Sequence, residues 1–291
     1  MHLTPYNIAG GDLIIAQDGT VLDGLDVYGD IQVRAKNVII RRSYLHGGKA
    51  LPSSNTGVVD ANSASNVNLL VEDCTIIPDH PAYYRDGIVG HEYTARRNEI
   101  SHSNDGLGIF ARPGSNGLAN VTVEANYIHT LTHWSVDPAH VDGTHNDCIQ
   151  IQGGANILIV GNTIVADSTE GPGSVLSVRG NHAAQGILVQ SNMSLLSNVV
   201  IDKNWLDNGS ASLYLHPGSF SDLSPTSVTN NRLGRNQYDY GNGSKYAVRV
   251  YSKAVDVAPG LDQPGNTTNR SEDTGELLVE GRNLGIRYDV P

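Results

Sequence analysis

The nine residues "NVTVEANYI" (120–128) are one copy of a phrase that recurs through the chain and decides its fold. An alternating apolar strand is followed by two polar residues, a small polar residue, one free position, and then Ile or Leu. Self-similarity at this period is typical of proteins that stack one structural unit. The other copies are "NVIIRRSYL" (37–45), "NLLVEDCTI" (68–76), "YTARRNEI" (93–100), "NILIVGNTI" (156–164), "NVVIDKNWL" (198–206), "TSVTNNRL" (226–233) and "ELLVEGRNL" (276–284).

The small polar position is Asn in most copies. Asparagine tolerates the left-handed backbone of a tight bend, and its amide can bond to the equivalent amide one layer above. The pattern therefore predicts an internal Asn ladder, with position 282 following Asn231. The earlier positions are Ser43, Cys74, Asn98, Asn126, Asn162, Asn204 and Asn231.

A second strand precedes most copies, and no helical periodicity lies between the strands. Strands this short cannot bury their apolar sides alone, so they must stack in parallel on their neighbours. The sequence predicts an all-β fold, a right-handed parallel β-helix of roughly eight to ten coils. The second strands are "GVVDA" (57–61), "DGIVGH" (86–91), "DGLGIF" (105–110), "DCIQIQ" (147–152), "QGILVQ" (185–190), "SLYLH" (212–216) and "AVRVY" (247–251).

We expect one domain over residues 1–291, with an amino-terminal cap over 1–30 and a loop-rich carboxy-terminal coil over 252–291. Extra length must leave the stack as loops on one side, which line a groove or an oligomer contact. The expected loops are 129–146, 166–184, 217–225, 234–246 and 252–275.

Composition limits the partners. The 291 residues carry a formal net charge of −11, with 19 Lys and Arg against 30 Asp and Glu, which disfavours a nucleic-acid surface. Cys74 and Cys148 are expected to be free thiols. No signal-peptide pattern opens the sequence and no apolar run approaches the ~18 residues of a membrane span, so we expect a soluble chain without membrane insertion.

Strand register predicts which side chains face outward. In "DCIQIQ", Ile149 and Ile151 are expected inside, which puts Cys148, Gln150 and Gln152 outside. Amides, aromatic rings and histidines on such a strip suit a sugar chain, although an ordinary solvated sheet is the alternative. The same register puts on this outer face Val89, His91, Gly108, Phe110, Leu188, Gln190, Tyr214, His216, Arg249 and Tyr251.

Acidic residues form a column just ahead of these strands. Asp86, Asp105 and Asp147, followed by Gln185, should lie in layers ~4.8 Å apart, where neighbouring carboxylates raise one another's pKa. Such carboxyls can act as acid and base in glycoside cleavage. Asp before Gly is also a turn signal, and we favour that role for Asp86 and Asp105.

Four histidines precede Asp147, and histidine titrates near neutrality, so this cluster is the best candidate for general acid or base chemistry. A metal site competes with this interpretation, as does simple packing of the loop, but compact zinc spacing is absent. We expect no cofactor, with Ca²⁺ the one ion allowed. The histidines are His129, His133, His140 and His145, interleaved with Trp134, Asp137 and Asp142.

The segment "PDHPAYYRDGIVGH" (78–91) should approach the same groove. The few basic residues beside the acidic column favour hydrolysis or plain binding over lyase chemistry. The candidate catalytic residues are Asp147, His145, His140 and Asp105. The candidate substrate-binding residues are Gln150, Gln152, His91, Tyr84, Arg85, Trp134, Gln190, Tyr214 and His216.

Several phrases resemble right-handed β-helix proteins of actinobacteria and their phages, including phage minor tail proteins. The phrases are "EDCTIIPDHP", "GIVGHEYTARRNEIS", "DGLGIF", "THNDCIQIQGG", "GNTI" and "VVIDKNWLDNG", and the similarity spans residues 12–210. Broader relatives by architecture are pectate lyases, polygalacturonases, mannuronan epimerases and tailspike depolymerases. The chain lacks the polygalacturonase acid motifs and the pectate-lyase basic triad.

This resemblance implies a tail or cell-surface protein, a homotrimer in a virion tail or outside the cell. Together with the outward-facing strip and the acidic and histidine residues, it predicts a protein that binds a polysaccharide of an actinobacterial cell surface, and depolymerisation by acid/base cleavage is the further hypothesis. The alternatives are a secreted bacterial polysaccharide lyase or hydrolase, and a purely structural spacer of a tail fibre. Fold analogy supports glycan recognition and does not identify a reaction.

Overall fold

The computed structural model describes residues 3–220, 226–251, 269–272, 274–278 and 286–289. No helix occurs in these ranges, and the strands form three parallel sheets, which confirms the predicted right-handed parallel β-helix. The described part of the chain thus offers no helix that could cross a membrane.

Sheet A contains ten strands: β1 (Thr4–Tyr6), β4 (Leu25–Val27), β7 (Tyr44–Leu45), β10 (Thr75–Ile76), β13 (Glu99–Ile100), β16 (Tyr127–His133), β19 (Thr163–Glu170), β22 (Trp205–Asn208), β25 (Arg232–Leu233) and β27 (Arg270–Ser271).

Sheet B contains ten strands: β2 (Leu13–Ile15), β5 (Ile31–Val33), β8 (Thr56–Ala61), β11 (Arg85–Gly90), β14 (Leu107–Ile109), β17 (Asp147–Ile151), β20 (Gln185–Gln190), β23 (Ala211–His216), β26 (Val248–Tyr251) and β28 (Ile286–Asp289). Sheet C contains eight: β3 (Val21–Asp23), β6 (Ile39–Arg41), β9 (Leu69–Glu72), β12 (Tyr93–Arg96), β15 (Leu118–Glu124), β18 (Gly154–Val160), β21 (Leu196–Asp202) and β24 (Thr226–Thr229).

Each coil runs from sheet B through sheet C to sheet A. The two predicted strand families are sheets B and C, and the residues after each Asn bend form sheet A, a third family. Five strands of sheet A, including Thr75–Ile76 and Glu99–Ile100, contain only two residues. So short a strand gives no alternation, which explains why the sequence did not reveal this sheet.

Aliphatic side chains of equivalent positions fill the interior. In sheet B the register aligns Ile88, Leu107, Ile149 and Ile187, all completely buried. Burying one such side chain contributes about 1.5–3 kcal/mol, so stacking supplies the stability that a single coil lacks. The expectation that Ile149 and Ile151 face the interior is confirmed.

The Asn ladder at the bend from sheet C to sheet A is present. The side-chain amide of Asn98 donates to Asn126 Oδ1 at 3.0 Å, and Asn126 donates to Asn162 Oδ1 at 3.0 Å. Asn162 and Asn204 continue the series, at 2.9 and 3.0 Å. The rung above Asn231 is Asn269, at 2.9 Å, and not position 282, which lies outside the described residues.

A second Asn column, which the sequence analysis did not identify, lies on the solvent side of sheet C. Asn68 donates to Asn37, Asn156 to Asn120, and Asn198 to Asn156, at 2.8–3.0 Å. All of these residues have φ between 51° and 63°, the left-handed region that Asn tolerates well. Asn is therefore the first residue of several copies of the repeated phrase because that position adopts a left-handed backbone conformation.

Two predicted loops begin later than expected. Strand β16 continues to His133 and β19 to Glu170, and the two pair from Tyr127–Thr163 to His133–Glu170 across one irregularity. Most of the predicted loop 252–275 lies outside the described residues. At the other end, the segment expected as a cap contributes β1 to β4, which pair within the three sheets.

Candidate functional site

The outer face of sheet B carries the expected strip of side chains. The register aligns Val89, Gly108, Gln150, Leu188 and Tyr214 in one column. Gln152 donates to Gln150 Oε1 at 2.6 Å, and this bond fixes the two amides relative to each other. Gln150 and Gln152 are therefore held as a pair on the outer face.

Strict alternation fails where the strip meets the acidic column. Cys148, expected outside, is completely buried, and its Sγ lies 3.8 Å from the Val165 carbonyl of sheet A. Cys148 and Ile149 both face the interior. The alternation along the strand therefore shifts by one residue, and the Asp147 side chain faces the groove. The neighbouring layers have Gly87 and Gly106 at this position, and a Cβ on Gly106 would lie 2.7 Å from Ile128. Only small side chains fit there.

The column of Asp86, Asp105 and Asp147 is held together by the backbone. The N–H of Asp105 donates to Asp86 Oδ1 at 3.2 Å, and the N–H of Asp147 donates to Asp105 Oδ1 at 2.8 Å. Gln150 donates to Asp147 Oδ2 at 3.3 Å, whereas Asp147 Oδ1 is buried without a hydrogen-bond partner. The second oxygen of Asp147 is thus available for a proton.

Burial changes the protonation of all three carboxyls. Desolvation raises the pKa of Asp86 to about 7 and that of Asp147 to about 8. The pKa of Asp105, between two other acids, is raised well above its ordinary value, first by desolvation and then by the charges of Asp86 and Asp147. A carboxylic acid that keeps its proton near neutrality can act as a proton donor.

The loop between β16 and β17 forms one wall of the groove. Its base is closed by Trp134 and Thr144, since the N–H of Thr144 donates to the Trp134 carbonyl at 2.9 Å and the N–H of Trp134 to Thr144 Oγ1 at 2.9 Å. The buried side chain of Asn146 donates to the carbonyls of Asn104 and Thr132 at 2.7 and 2.9 Å. These bonds anchor the loop to the coil below.

Two histidines on this loop are each paired with a carboxylate. His140 Nδ1 lies 2.6 Å from Asp137 Oδ2, and His145 Nε2 lies 3.0 Å from Asp142 Oδ1. The two imidazole rings stack at 4.4 Å. A carboxylate that holds one ring nitrogen orients the imidazole, which is the arrangement of a general base and its positioning group.

These features meet at one cavity of about 530 Å³. It brings together ten of the thirteen candidate residues, and half-buried or exposed polar side chains dominate its wall. The ten are Asp105, Asp147, His140, His145, Tyr84, Gln150, Gln152, Gln190, Tyr214 and His216.

Three candidate substrate-binding residues lie elsewhere, which corrects their expected placement. Arg85 is only 1% exposed and forms a buried ion pair with Asp30, with its Nε at 3.0 Å from Oδ1. His91 is also buried and its Nε2 lies 3.2 Å from the Asn62 carbonyl. Trp134 is half-buried behind the loop, where its ring packs edge-on against Tyr83 at 6.1 Å.

The four-histidine cluster is divided by the fold. His129 stacks on Tyr127 at 4.1 Å on the outer face of sheet A, a different face of the solenoid. His133 is buried beneath the loop, and burial lowers its pKa, which favours the neutral ring. Only His140 and His145 reach the cavity. The four histidines are close in sequence, which suggested a single cluster. In the structure β16 extends through His133, so His129 and His133 belong to a strand and not to the loop.

The cavity also contains residues that sequence reasoning did not select as site residues. Asp86 was assigned to a turn, although its position in the same column as Asp147 was the available signal. Asn55, Asn104 and Asn192 come from three different loops, so nothing in the sequence connects them to one another. Within the described ranges, no group of three or more His, Cys, Asp or Glu residues is arranged to hold a metal ion.

Comparisons with known proteins agree with the architecture. A family model described as "Right handed beta helix region" matches residues 68–255. No curated protein matches the sequence. The A-module of the Azotobacter vinelandii mannuronan C-5 epimerase AlgE4 is similar in structure, with a TM-score of 0.52 and 12% identity over 94% of this chain and 59% of that one.

The Dettilon tailspike protein is also similar, with a TM-score of 0.42 and 12% identity over 90% of this chain and 55% of that one. The chain therefore spans less than two thirds of the length of either structure. At 12% identity the likeness to the epimerase module shows the fold alone.

Proposed function

Because this chain belongs to the right-handed β-helix family, we propose that its groove binds a polysaccharide and that its carboxyl column cleaves a glycosidic bond by acid/base hydrolysis. The observation that carries the proposal is the stack of three buried carboxyls at the base of a polar cavity, with the pKa of Asp147 raised to about 8. A protein of the same fold, the mannuronan C-5 epimerase, acts by its name on a polysaccharide.

In the proposed reaction Asp147 is the general acid. Its carboxyl gives a proton to the glycosidic oxygen as the bond from that oxygen to the anomeric carbon breaks. A water molecule supplies the hydroxyl group to the anomeric carbon, and His145, oriented by Asp142, accepts the proton that the water releases. That proton returns through solvent to Asp147, so the enzyme ends as it began.

The roles of the other groups follow from their positions. Asp105 and Asp86 lie one and two layers below Asp147, and burial raises the pKa of both carboxyls, which reduces the negative charge at the base of the groove near neutral pH. Gln150, Gln152 and Gln190 offer planar amides to sugar hydroxyl groups, and Tyr84 and Tyr214 offer rings to the faces of the sugars. His140 supports His145 by stacking.

The test uses Asp147→Asn, which keeps the shape of the side chain and removes the acidic proton. Purified protein is incubated with cell-wall arabinogalactan, teichoic acid and capsule of an actinobacterial host, and new reducing ends are measured. We expect a rate at least about 100-fold below wild type, because general acid catalysis contributes that much. Asp12→Asn, an exposed acid outside the cavity, is the matched control.

Three results would decide against hydrolysis. Unsaturated, ultraviolet-absorbing products in place of simple reducing ends would indicate elimination. Equal rates for wild type and Asp147→Asn would remove Asp147 from the chemistry. Binding without any product would leave a glycan-binding protein that is not an enzyme.

We further propose that the protein works in a virion tail or outside the cell, as a homotrimer that engages the surface of an actinobacterial host. The support is the phrase-level resemblance, above all in "THNDCIQIQGG" (144–154). A polysaccharide is a large polymer, so the groove that binds it must be open to the surrounding water. A virion tail or an extracellular protein meets this requirement.

A further inference from the structure

A second cavity of about 300 Å³ adjoins the first toward the carboxy-terminal coils. His145 and Gln185 line both cavities, so the two form consecutive stretches of one groove. Its other walls differ in chemistry from the acidic column, because they include Arg179, Arg249, Tyr238 and Tyr240. A chain that lies along the groove would pass from the carboxyls to these cations.

Arg179 has capacity for a ligand. Its Nε is buried without a hydrogen-bond partner, and its charge acts on Asp142 and Asp147 only through space, by lowering the pKa of both carboxyls. The backbone there is well held, since the N–H of Arg179 donates to Ser177 Oγ at 3.1 Å and the N–H of Gly180 to the Ser177 carbonyl at 2.9 Å. The cation is therefore presented by a fixed turn.

Arg249 and the tyrosines form the opposite side. The guanidinium of Arg249 lies 4.6 Å from the centre of the Tyr214 ring and donates to the Tyr240 hydroxyl at 3.2 Å. The rings of Tyr238 and Tyr240 meet edge to face at 5.1 Å. Two cations and two phenol rings thus line this cavity of about 300 Å³.

We propose that this second cavity is a subsite for a sugar ring that carries an anionic group, a carboxylate or a phosphate. The inference rests on the proposed function of the neighbouring cavity. A guanidinium presents a planar fork of donors that matches the oxygens of such a group, and an aromatic ring packs against the face of the sugar.

The charge distribution supports this assignment. The chain as a whole has a net charge of −11, so an anionic ligand is repelled by most of the surface and attracted only where cations gather. Of the adjoining carboxyls, Asp147 opposes an anion least, because burial raises its pKa to about 8, whereas Asp86, with a pKa of about 7, is partly ionised and Asp142, whose pKa is lowered, is charged. Near neutral pH the groove thus offers an uncharged acid beside a cationic subsite.

The experiment measures dissociation constants for three hexasaccharides that share one backbone: a polyuronate, its carboxyl-reduced neutral form, and the neutral form with one phosphate ester. We expect the intact protein to bind an anionic form about tenfold more tightly than the neutral form, as one charge-assisted hydrogen-bonded pair provides. The preferred anionic form identifies the group. Arg179→Gln should reduce this preference about tenfold, while Arg179→Lys should retain part of it.

Arg34→Gln is the control, since Arg34 is exposed just after β5, five layers below the Gln185 strand of the second cavity, and it should leave the preference unchanged. Equal binding of charged and neutral forms would overturn the subsite and leave the proposed function standing. A preference that Arg179→Gln does not alter would also overturn it, since the anion would then bind elsewhere. Binding of none of the three would overturn both proposals.

Discussion

Asp147 is the point where backbone geometry and electrostatics combine. A carboxyl in water loses its proton near pH 4, but Asp147 is 1% exposed, and two further acids occupy the layers below it. Burial penalises the charged form of Asp147 more than its hydrogen bonds and the charge of Arg179 favour that form. Burial raises the pKa of Asp147, which suits a proton donor. Burial also lowers the free energy of unfolding when the carboxyl ionises.

This cost gives a pH dependence of stability. The pKa of Asp147 is raised from 3.8 in the unfolded chain to about 8 in the folded one, so the penalty is absent below pH 4 and complete above pH 8. The free energy of unfolding of the wild type should therefore fall as pH rises through this window, by on the order of a few kcal/mol.

Asp147→Asn should make this profile shallower, because an amide does not ionise, while Asp86 and Asp105 retain their own contributions. Urea denaturation of both proteins at pH 4, 6 and 8 measures the difference. We expect the variant to gain stability relative to wild type as the pH rises. A difference that does not change with pH would show that Asp147 ionises normally.

Some of the site residues could be predicted from alternation alone. Ile149 and Ile151 fix the register, and Gln150 and Gln152 follow from it. Arg85 could not be placed this way, because its partner Asp30 lies 55 residues earlier and is brought near only by stacking. Cys148 was misplaced because two successive residues face the interior, which the small neighbours Gly87 and Gly106 permit.

The bend between sheets C and A is the best-determined element of the fold. Asn126 is 1% exposed, and its side chain donates to Asn162 and the Ala95 carbonyl while it accepts from the backbone and side-chain amides of Asn98. Each rung thus satisfies polar groups in the layers on both sides. A buried polar group without such partners costs about 1–3 kcal/mol.

Asn126→Ala should therefore lower the free energy of unfolding by about 3 kcal/mol or more, since several buried groups lose their partners together. The control is Asn156→Gly in the exposed column, where glycine keeps the left-handed backbone and water replaces the lost bonds. We expect less than about 1 kcal/mol there. Urea midpoints followed by circular dichroism measure both, and similar losses for the two variants would contradict the structural role of the internal ladder.

The short strands of sheet A and the ladder position of Asn269 could not be predicted from the sequence pattern. A two-residue strand has no period, so only the stacking of the longer strands of sheets B and C determines its position. Asn269 lies outside any copy of the repeated phrase, so the repeat pattern does not predict its place above Asn231.

The groove is a property of the assembled stack. Sheet B supplies the flat strip, the loop over residues 134–146 supplies one wall with its paired histidines, and the acidic column supplies the base. No single coil contains the site, because its residues come from layers that lie as far apart in sequence as Asn55 and His216. A repeated scaffold with irregular loops can thus acquire a unique site without loss of its core.

The most direct test of this account is a crystal structure of the Asp147→Asn protein soaked with an oligosaccharide of a host cell-wall polysaccharide. We expect the sugar chain to lie along sheet B, with one glycosidic oxygen within hydrogen-bond distance of the residue 147 side chain and sugar rings against Gln150 and Tyr214. A sugar chain bound on sheet A or sheet C, with the cavity around Asp147 unoccupied, would contradict the account.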